Sequence, residues 1–393
     1  MTRLWSPNAD FTAELNLDSA TMSGQSYPMT NGEHLGPEFL SFARQASVAY
    51  DDKTEIGSEL TVCIAEDRVS CEPALRVLVA SLAAHCPDLK AYLFCPNASL
   101  DFKEWIACFS NAILNARALD GDWNKYDIKP QALLTMLESG FSNVVWIDSD
   151  ILIAGDFRPL LGKLSPDTIA VTEEALCSGH ADSHGLRAKL WGMEVGRVLP
   201  FTANTGVVRV TSEHLQLLRH WRALLEGPEY RAAQQRPWNE RGLHVMGDQE
   251  VFTALLSSRE YANFPIRFLR RGDDIIQFFG SSGYTTHERI RHLRTGMPPF
   301  VHSQGFRPWW PRIESNGPLS NRLQNLYNDL SPYTVLAARY AGELSDPGWL
   351  SPKSSISRWL VKIGGRNAAM TGLPLALGAD IIRWLKGFRA QQT

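Results

Sequence analysis

Two carboxylates stand two residues apart where an apolar run ends: in NVVWIDSDILIAGDF, Asn143 to Phe157, Asp148 and Asp150 flank Ser149. In extended backbone, residues i and i+2 project to the same side, so the pair can converge on one point while Ser149 faces elsewhere. Two negative charges beside Val144, Val145, Trp146 and Ile147 cost free energy unless a cation, an arginine or several backbone amides compensate them. A D-x-D triplet arises by chance roughly once in a chain of this length and composition. A second copy, Asp120-Gly121-Asp122, precedes Trp123 and Asn124 in a turn-like context and reads as solvated loop. Taken alone, Asp148 and Asp150 fit a turn cap or arginine partners as well as a metal. A further candidate ligand lies far downstream in FVHSQGFRPWWP. His302 would complete a mixed nitrogen and oxygen set suited to Mn²⁺, or less well to Mg²⁺, with positions left for phosphate oxygens. In the same loop Gly305 permits close backbone approach, and Arg307 carries the fork that holds a diphosphate through two hydrogen bonds. The competing reading of His302 is a hydrogen-bonded structural histidine.

These groups need elements that carry them to one place. Leu60 to Ala65 reads as a buried strand, and CEPALRVLVASLAAHCPD has helical spacing of its apolar residues. KAYLFCP is a second strand, LDFKEWIACFS a second helix, AILNARAL a third strand, and KPQALLTMLESG a helix stopped by glycine. The acidic strand follows at once. Such alternation predicts a mainly parallel sheet with helices on both faces, whose ligands bind beyond the carboxyl ends of the strands. Asp148 and Asp150 would lie there. After residue 158 the pattern loosens: TIAVTEEAL is a candidate strand, CSGHADSHGLRAKLWGMEVGR a loop over the site, and NTGVVRV a strand. SEHLQLLRHWRALLEG follows as a helix capped by Ser212, and GDQEVFTALLSS is a helix with acidic residues in its first turn. The expected organisation is an N-terminal extension over 1–57, an α/β catalytic domain over 58–312 and a basic helical segment over 313–393.

Composition narrows the partners. The 393 residues are 44% hydrophobic and 21% charged, with a formal net charge of -3, a balance that gives no reason to propose nucleic acid. None of the six cysteines falls at a CxxC spacing, which predicts buried free thiols in a reducing compartment. The polar, acidic start MTRLWSPNADFTAELNLD has no secretory character, and no apolar run is long enough to span a bilayer. These features predict a cytosolic protein. Beyond residue 350, seven basic residues face Asp380 alone, interleaved with Ile381, Ile382, Trp384, Leu385 and Phe388. That pattern fits a basic amphipathic helix lying on the inner, anionic membrane face, and equally a helix docked on the body with a solvated basic side.

An apolar strand ending in D-x-D, an Asn-x-Gly strand, an Asp-Gln pair opening a helix, and His-x-x-Gly with a basic residue and Pro-Trp occur here in that order over residues 58 to 312. Together they resemble the GT-A glycosyltransferases of the family-8 type, which includes glycogenin-like and lipooligosaccharide galactosyltransferase-like enzymes. The resemblance implies a hexosyltransferase with a nucleotide-sugar donor, usually a UDP-sugar, a Mn²⁺ held by Asp148, Asp150 and His302, and retention of anomeric configuration. It implies that Arg307 touches the donor diphosphate, that Asn204 lines the sugar pocket, and that Asp248 and Gln249 stand near the anomeric carbon. Ala65, Glu66 and Asp67 would neighbour the uracil and ribose, Ser149 would lie on the donor side, and Lys129 would balance the acidic and phosphate charges. The acceptor, whether glycan, lipid-linked glycan or small molecule, is left open. Two other readings stand beside this one. A haloacid-dehalogenase-type phosphatase would use Asp148 as nucleophile, with Asp273 and Asp274 mimicking its later metal site. A nucleotide-sugar-binding protein would keep the scaffold without turnover.

Overall fold

The computed structural model describes residues 59–116, 119, 128–174, 183–280, 282–311 and 319–390. The expected extension over 1–57, the Asp120-Gly121-Asp122 triplet, Cys177 and the first residues of the Gly- and His-bearing segment lie outside the described residues.

Strand β1 (Thr61–Ala65) is buried along its whole length, as an apolar strand covered on both faces must be. Then come α1 (Glu72–His85), β2 (Ala91–Phe94), α2 (Leu100–Ile106), β3 (Ala112–Asn115), α3 (Ile128–Glu138) and β4 (Asn143–Ile147). Each element expected in this half forms. Beyond α3 the chain turns through Gly140, whose φ of 99° is cheap only for glycine. The second half holds β5 (Ile151–Ile153), β6 (Ile169–Glu173), β7 (Ala203–Thr211), α4 (Leu215–Glu226), α5 (Asp248–Ser257), β8 (Ile266–Leu269), β9 (Ile275–Gln277), α6 (Thr286–Thr295) and β10 (Phe300–His302).

The main sheet has the order β3-β2-β1-β4-β7-β6-β8, with β7 alone running against its neighbours. The fold is therefore the expected α/β class: a mainly parallel sheet flanked by helices. One apolar layer packs α3, α4 and α5 on the sheet through Leu133, Trp221 and Phe252; another packs α1 and α2 through Leu78 and Phe102. A second, three-stranded sheet has the order β5-β10-β9, in which β10 runs antiparallel to β5 and parallel to β9. Its strands are three residues each, too short to show a period of two in sequence.

From residue 319 the chain is helical: α7 (Leu319–Leu330), α8 (Pro332–Ala337), α9 (Ser355–Gly364), α10 (Ala368–Thr371) and α11 (Leu373–Ala390). Tyr333 and Leu336 of α8 share a core with Leu152 of β5, Val301 of β10 and Val77 of α1, so this segment is packed beneath the small sheet. A buried arginine adds a polar tie. Arg289 of α6 donates to the carbonyls of Ala368 and Ala369 at 2.9 and 3.2 Å. Two features differ from expectation. The 3-10 turn Ser212–His214 that leads from β7 into α4 is capped by Thr211, so Ser212 is not the cap, because the strand runs one residue further and its last side chain turns back to accept from Glu213 N at 3.3 Å. Of the thiols, Cys63, Cys71, Cys86 and Cys95 are free and buried, whereas Cys108 is exposed.

His214 completes that cap, and it sets a pH dependence. Its Nδ1 accepts from Thr211 N at 2.9 Å and its Nε2 lies 3.0 Å from the Asp167 carbonyl, an arrangement that suits the neutral ring protonated on Nε2. Burial is the main reason its pKa falls to about 4. A depressed folded pKa means that the unfolded chain binds the extra proton first. The contribution is fully present above about pH 6.5 and is lost as pH falls toward 4. His214→Asn should remove on the order of 3 kcal/mol of pH-dependent stability across that window. Urea titrations of both chains between pH 4 and 7.5 would check it; parallel curves would count against the assignment.

Candidate active site

The carboxyl end of β4 delivers Asp148, and the turn that follows delivers Asp150 before β5 begins. Antiparallel pairing of β10 with β5 sets His302 opposite Ile151, one residue from Asp150, and Ser303 N donates to the Asp150 carbonyl at 3.0 Å. A register fixed by backbone hydrogen bonds thus carries a histidine from 152 positions away to the acidic pair. One ligand atom each from Asp148, Asp150 and His302 lies within 4.8 Å of the others, and no other such cluster occurs among the described residues. The His302 ring is buried with Nε2 3.2 Å from Asp150 Oδ1, yet that oxygen has no hydrogen bond of acceptable geometry among the described residues. An orphaned buried carboxylate oxygen beside an imidazole nitrogen and a second carboxylate is a set of donors that a divalent cation satisfies. The residues fit Mn²⁺ or Mg²⁺.

Charge is balanced from below by Lys129. This buried lysine on α3 places Nζ 3.0 Å from Asp148 Oδ1 and 3.3 Å from Asp248 Oδ2, and it donates to Thr205 Oγ1 at 3.0 Å. Burial opposes its charge, but Asp148 and Asp248 raise its pKa well above the ordinary lysine value. Burial and the neighbouring Asp150 raise the pKa of Asp148 against the pull of Lys129 and His302. Trp146 Nε1 donates to Asp148 Oδ1 at 2.6 Å. For Asp150 the balance goes the other way: burial opposes ionisation, yet His302, Arg307 and Lys129 hold the pKa down to about 2. Burial likewise disfavours the His302 imidazolium, and Asp150 and Asp148 outweigh it, so that pKa is raised.

β7 supplies the second side of the site through a bulge. Val171 of β6 pairs with Val208, but its neighbour Thr172 pairs with Asn204, so Thr205, Gly206 and Val207 fall out of that ladder. At the edge of the bulge Asn204 turns its Oδ1 back to accept from Gly206 N at 2.9 Å, and within it Thr205 Oγ1 donates to Asp248 Oδ2 at 2.6 Å. Gly206 lies against His302: a Cβ there would stand 3.0 Å from the ring Cε1 and 2.9 Å from Asn204 Oδ1. Beyond the bulge, Glu174 collects three amides. It accepts from Asn204 Nδ2 at 2.9 Å, Gln249 Nε2 at 3.0 Å and Gln304 Nε2 at 3.2 Å.

The residues singled out in sequence divide into three groups. Asp148, Asp150, His302, Lys129 and Asp248 share one network; Asn204 and Gln249 meet at Glu174 beside it. Ala65 ends β1, and Glu66 and Asp67, which follow it, line a small pocket with Arg68 and Asn97. Glu66 accepts two hydrogen bonds from the Arg68 guanidinium and one from Ser149 Oγ at 2.7 Å, so Ser149 points from the dyad toward that pocket. Gly305 has a φ of 80°, which makes backbone conformation the reason for glycine there, and Arg307 lies over the Trp310 ring at 4.5 Å. Two contributors escaped the sequence reading. Thr205 has no sequence signal, whereas Glu174 had one: like Asp148, it is a carboxylate at a strand exit, in TEEAL.

No protein-family model matches the chain, and no curated protein matches it. Solved structures do. The galactosyltransferase LgtC, crystallised with donor and acceptor sugar analogues, is 15% identical, with a TM-score of 0.45 over 72% of this chain and 100% of its own. Mouse xyloside xylosyltransferase 1 is 14% identical, with a TM-score of 0.41 over 62% of this chain and 97% of its own. The glycosyltransferase GlyE of Streptococcus pneumoniae, in its apo form, is 16% identical, with a TM-score of 0.40 over 72% of this chain and 63% of its own. Likenesses this distant carry no functional weight, which rests on the site's own geometry.

Lys129→Met would leave Asp148 and Asp248 without the cation between them. The expected cost is about 3–5 kcal/mol, the usual result of breaking a buried ion pair from one side, measured by chemical denaturation. A loss below 1 kcal/mol, roughly the value of an exposed pair, would show that Lys129 is not the internal counter-charge.

Proposed function

We propose that this chain is a metal-dependent glycosyltransferase that moves a sugar from a nucleotide-sugar donor, a UDP-sugar, to an acceptor with retention of anomeric configuration. The observation that carries this reading is the convergence of Asp148, Asp150 and His302 on one point at the carboxyl end of β4. The same site carries an internal cation, Lys129, and a cluster of side-chain amides and carboxylates that suits a hydroxyl-rich substrate.

Cleaving the bond between the anomeric carbon and the diphosphate builds negative charge on the departing oxygens. When bound, a divalent cation acts there as a Lewis acid that stabilises this charge. Asp148, Asp150 and His302 would hold it. Lys129 pairs with Asp148 and Asp248 from the buried side and holds both carboxylates in place. Arg307, close enough to lower the Asp150 pKa, would meet a diphosphate with its fork. On the sugar side, Gln249 and Asn204 are oriented by Glu174, and Asp248 by Thr205 and Lys129, so their remaining lone pairs and N–H groups have fixed directions. Such preorganised dipoles stabilise positive charge at the anomeric centre without reorganising as it develops.

The phosphatase reading loses its later metal site. Asp273 pairs with Arg291 at 2.8 Å and Asp274 accepts from Arg270 N at 2.8 Å, and neither belongs to the Asp148 cluster.

Two experiments test the proposal. In a thermal-shift screen of nucleotide sugars, UDP-sugars should raise Tm only when Mn²⁺ is present; a ligand at a hundred times its Kd contributes about 2.7 kcal/mol. Asp150→Asn should abolish the effect, and an unchanged shift in that variant would remove the metal assignment. Gly206→Ala probes the same centre indirectly. The added methyl meets His302 and Asn204, so the folded variant should lose Mn²⁺-dependent stabilisation and about 1–3 kcal/mol of stability. Release of inorganic phosphate from a generic phosphate ester, with no response to UDP-sugars, would favour the phosphatase instead.

A further inference from the structure

The helical segment over α9 to α11 is docked by one side and exposes apolar side chains on the other. Buried Leu360, Ala368, Ala369 and Ala376 hold α9, α10 and α11 to the body, helped by Arg289. On the outward side of α9, Ile356, Trp359 and Ile363 recur at spacings of three and four, which is one helical face, and all three are exposed. α11 repeats the pattern with Leu377, Ile381 and Trp384, all exposed, and Ile382 and Leu385 widen the stripe. Trp359 is 62% exposed and Trp384 63%, values at which a tryptophan leaves most of its ring in water. A docked helix normally turns such residues inward; here α9 turns Ser357, Leu360 and Gly364 toward the body instead.

Charge identifies the occupant. Arg358, Lys362 and Arg366 are exposed beside this face, and Asp380, the only acidic residue after position 350, is paired with Arg383. A second copy of this chain would bring the same uncompensated positive charges together across an isologous contact. Anionic lipid headgroups would neutralise them while the interfacial region takes up Trp, Ile and Leu side chains. No helix of the described residues is long and apolar enough to cross a membrane, so contact is by lying on the surface. We infer that the outward faces of α9 and α11 form a platform that docks the protein on an anionic lipid surface.

The platform does not depend on the proposed transfer reaction and can be tested without metal or donor. The full chain is sedimented with phosphatidylcholine vesicles and with phosphatidylcholine–phosphatidylglycerol vesicles, at low and high salt. Binding is expected on the anionic vesicles only, falling several-fold with salt as screening predicts. Trp359→Ser combined with Trp384→Ser should weaken it by about tenfold or more, given the apolar area withdrawn from the lipid. Arg358→Gln, Lys362→Gln and Arg366→Gln together should abolish the preference for anionic lipid. These side chains are exposed, so far-UV circular dichroism should be unchanged. Absence of vesicle binding, or binding insensitive to the tryptophan changes, would overturn the inference. So would a concentration-dependent dimer in analytical ultracentrifugation that the tryptophan changes dissolve, since the face would then join copies of the chain.

Discussion

A buried cation holds the centre of this molecule together. Lys129 stands between a carboxylate at the end of β4 and another at the start of α5, and it touches the β7 bulge through Thr205. Carboxylates at those positions would otherwise meet the energetic penalty of charge in an apolar interior, and the chain would either protonate them or push them outward. With the ammonium in place, one face of Asp148 is neutralised internally while the cluster with Asp150 and His302 keeps excess negative charge on the open side. That asymmetry is the basis of the proposed cation site.

The second constraint is backbone register. His302 and Asp150 approach because β10 pairs with β5, and Asn204 and Thr205 face the site because β7 bulges out of its ladder with β6. Gly206 at the bulge lets the His302 ring close in, since any side chain there would meet it. Short strands, a bulge and a glycine act jointly. They aim side chains from four separate stretches of chain at one region, and hydrogen bonds among those side chains then fix their directions.

The helical segment after residue 319 bears on both the site and the surface. Through Tyr333 and Leu336 it underpins the small sheet that carries His302, so the geometry of the Asp148, Asp150 and His302 cluster depends on it. Its outer side carries the apolar stripes of α9 and α11. One segment is thus anchored to the sheet that positions the candidate site and exposes tryptophan on its other side.

Much of this was legible in the residues. The alternation of apolar runs and helical spacings predicted a mainly parallel sheet, because burial on both faces demands continuous apolar strands, and the exit of β4 marked Asp148 and Asp150 because charge at such a place needs a partner. His302 stood out from its own loop, which also carries Gly305 and Arg307, whereas Lys129, Asp248 and Gln249 were singled out only through the resemblance to a known family. Tertiary structure decided the rest. The three-residue strands of the second sheet carry too little period to be read, the bulge on β7 is a property of pairing rather than of composition, and Glu174 became a site residue only when three amides from distant segments closed on it. Thr211 displaced Ser212 as the cap because the pairing of β7 with β4 extends the strand one residue further. Sequence patterns report what each residue prefers beside its chain neighbours; which residues meet across the fold depends on long-range pairing, and no local preference encodes that.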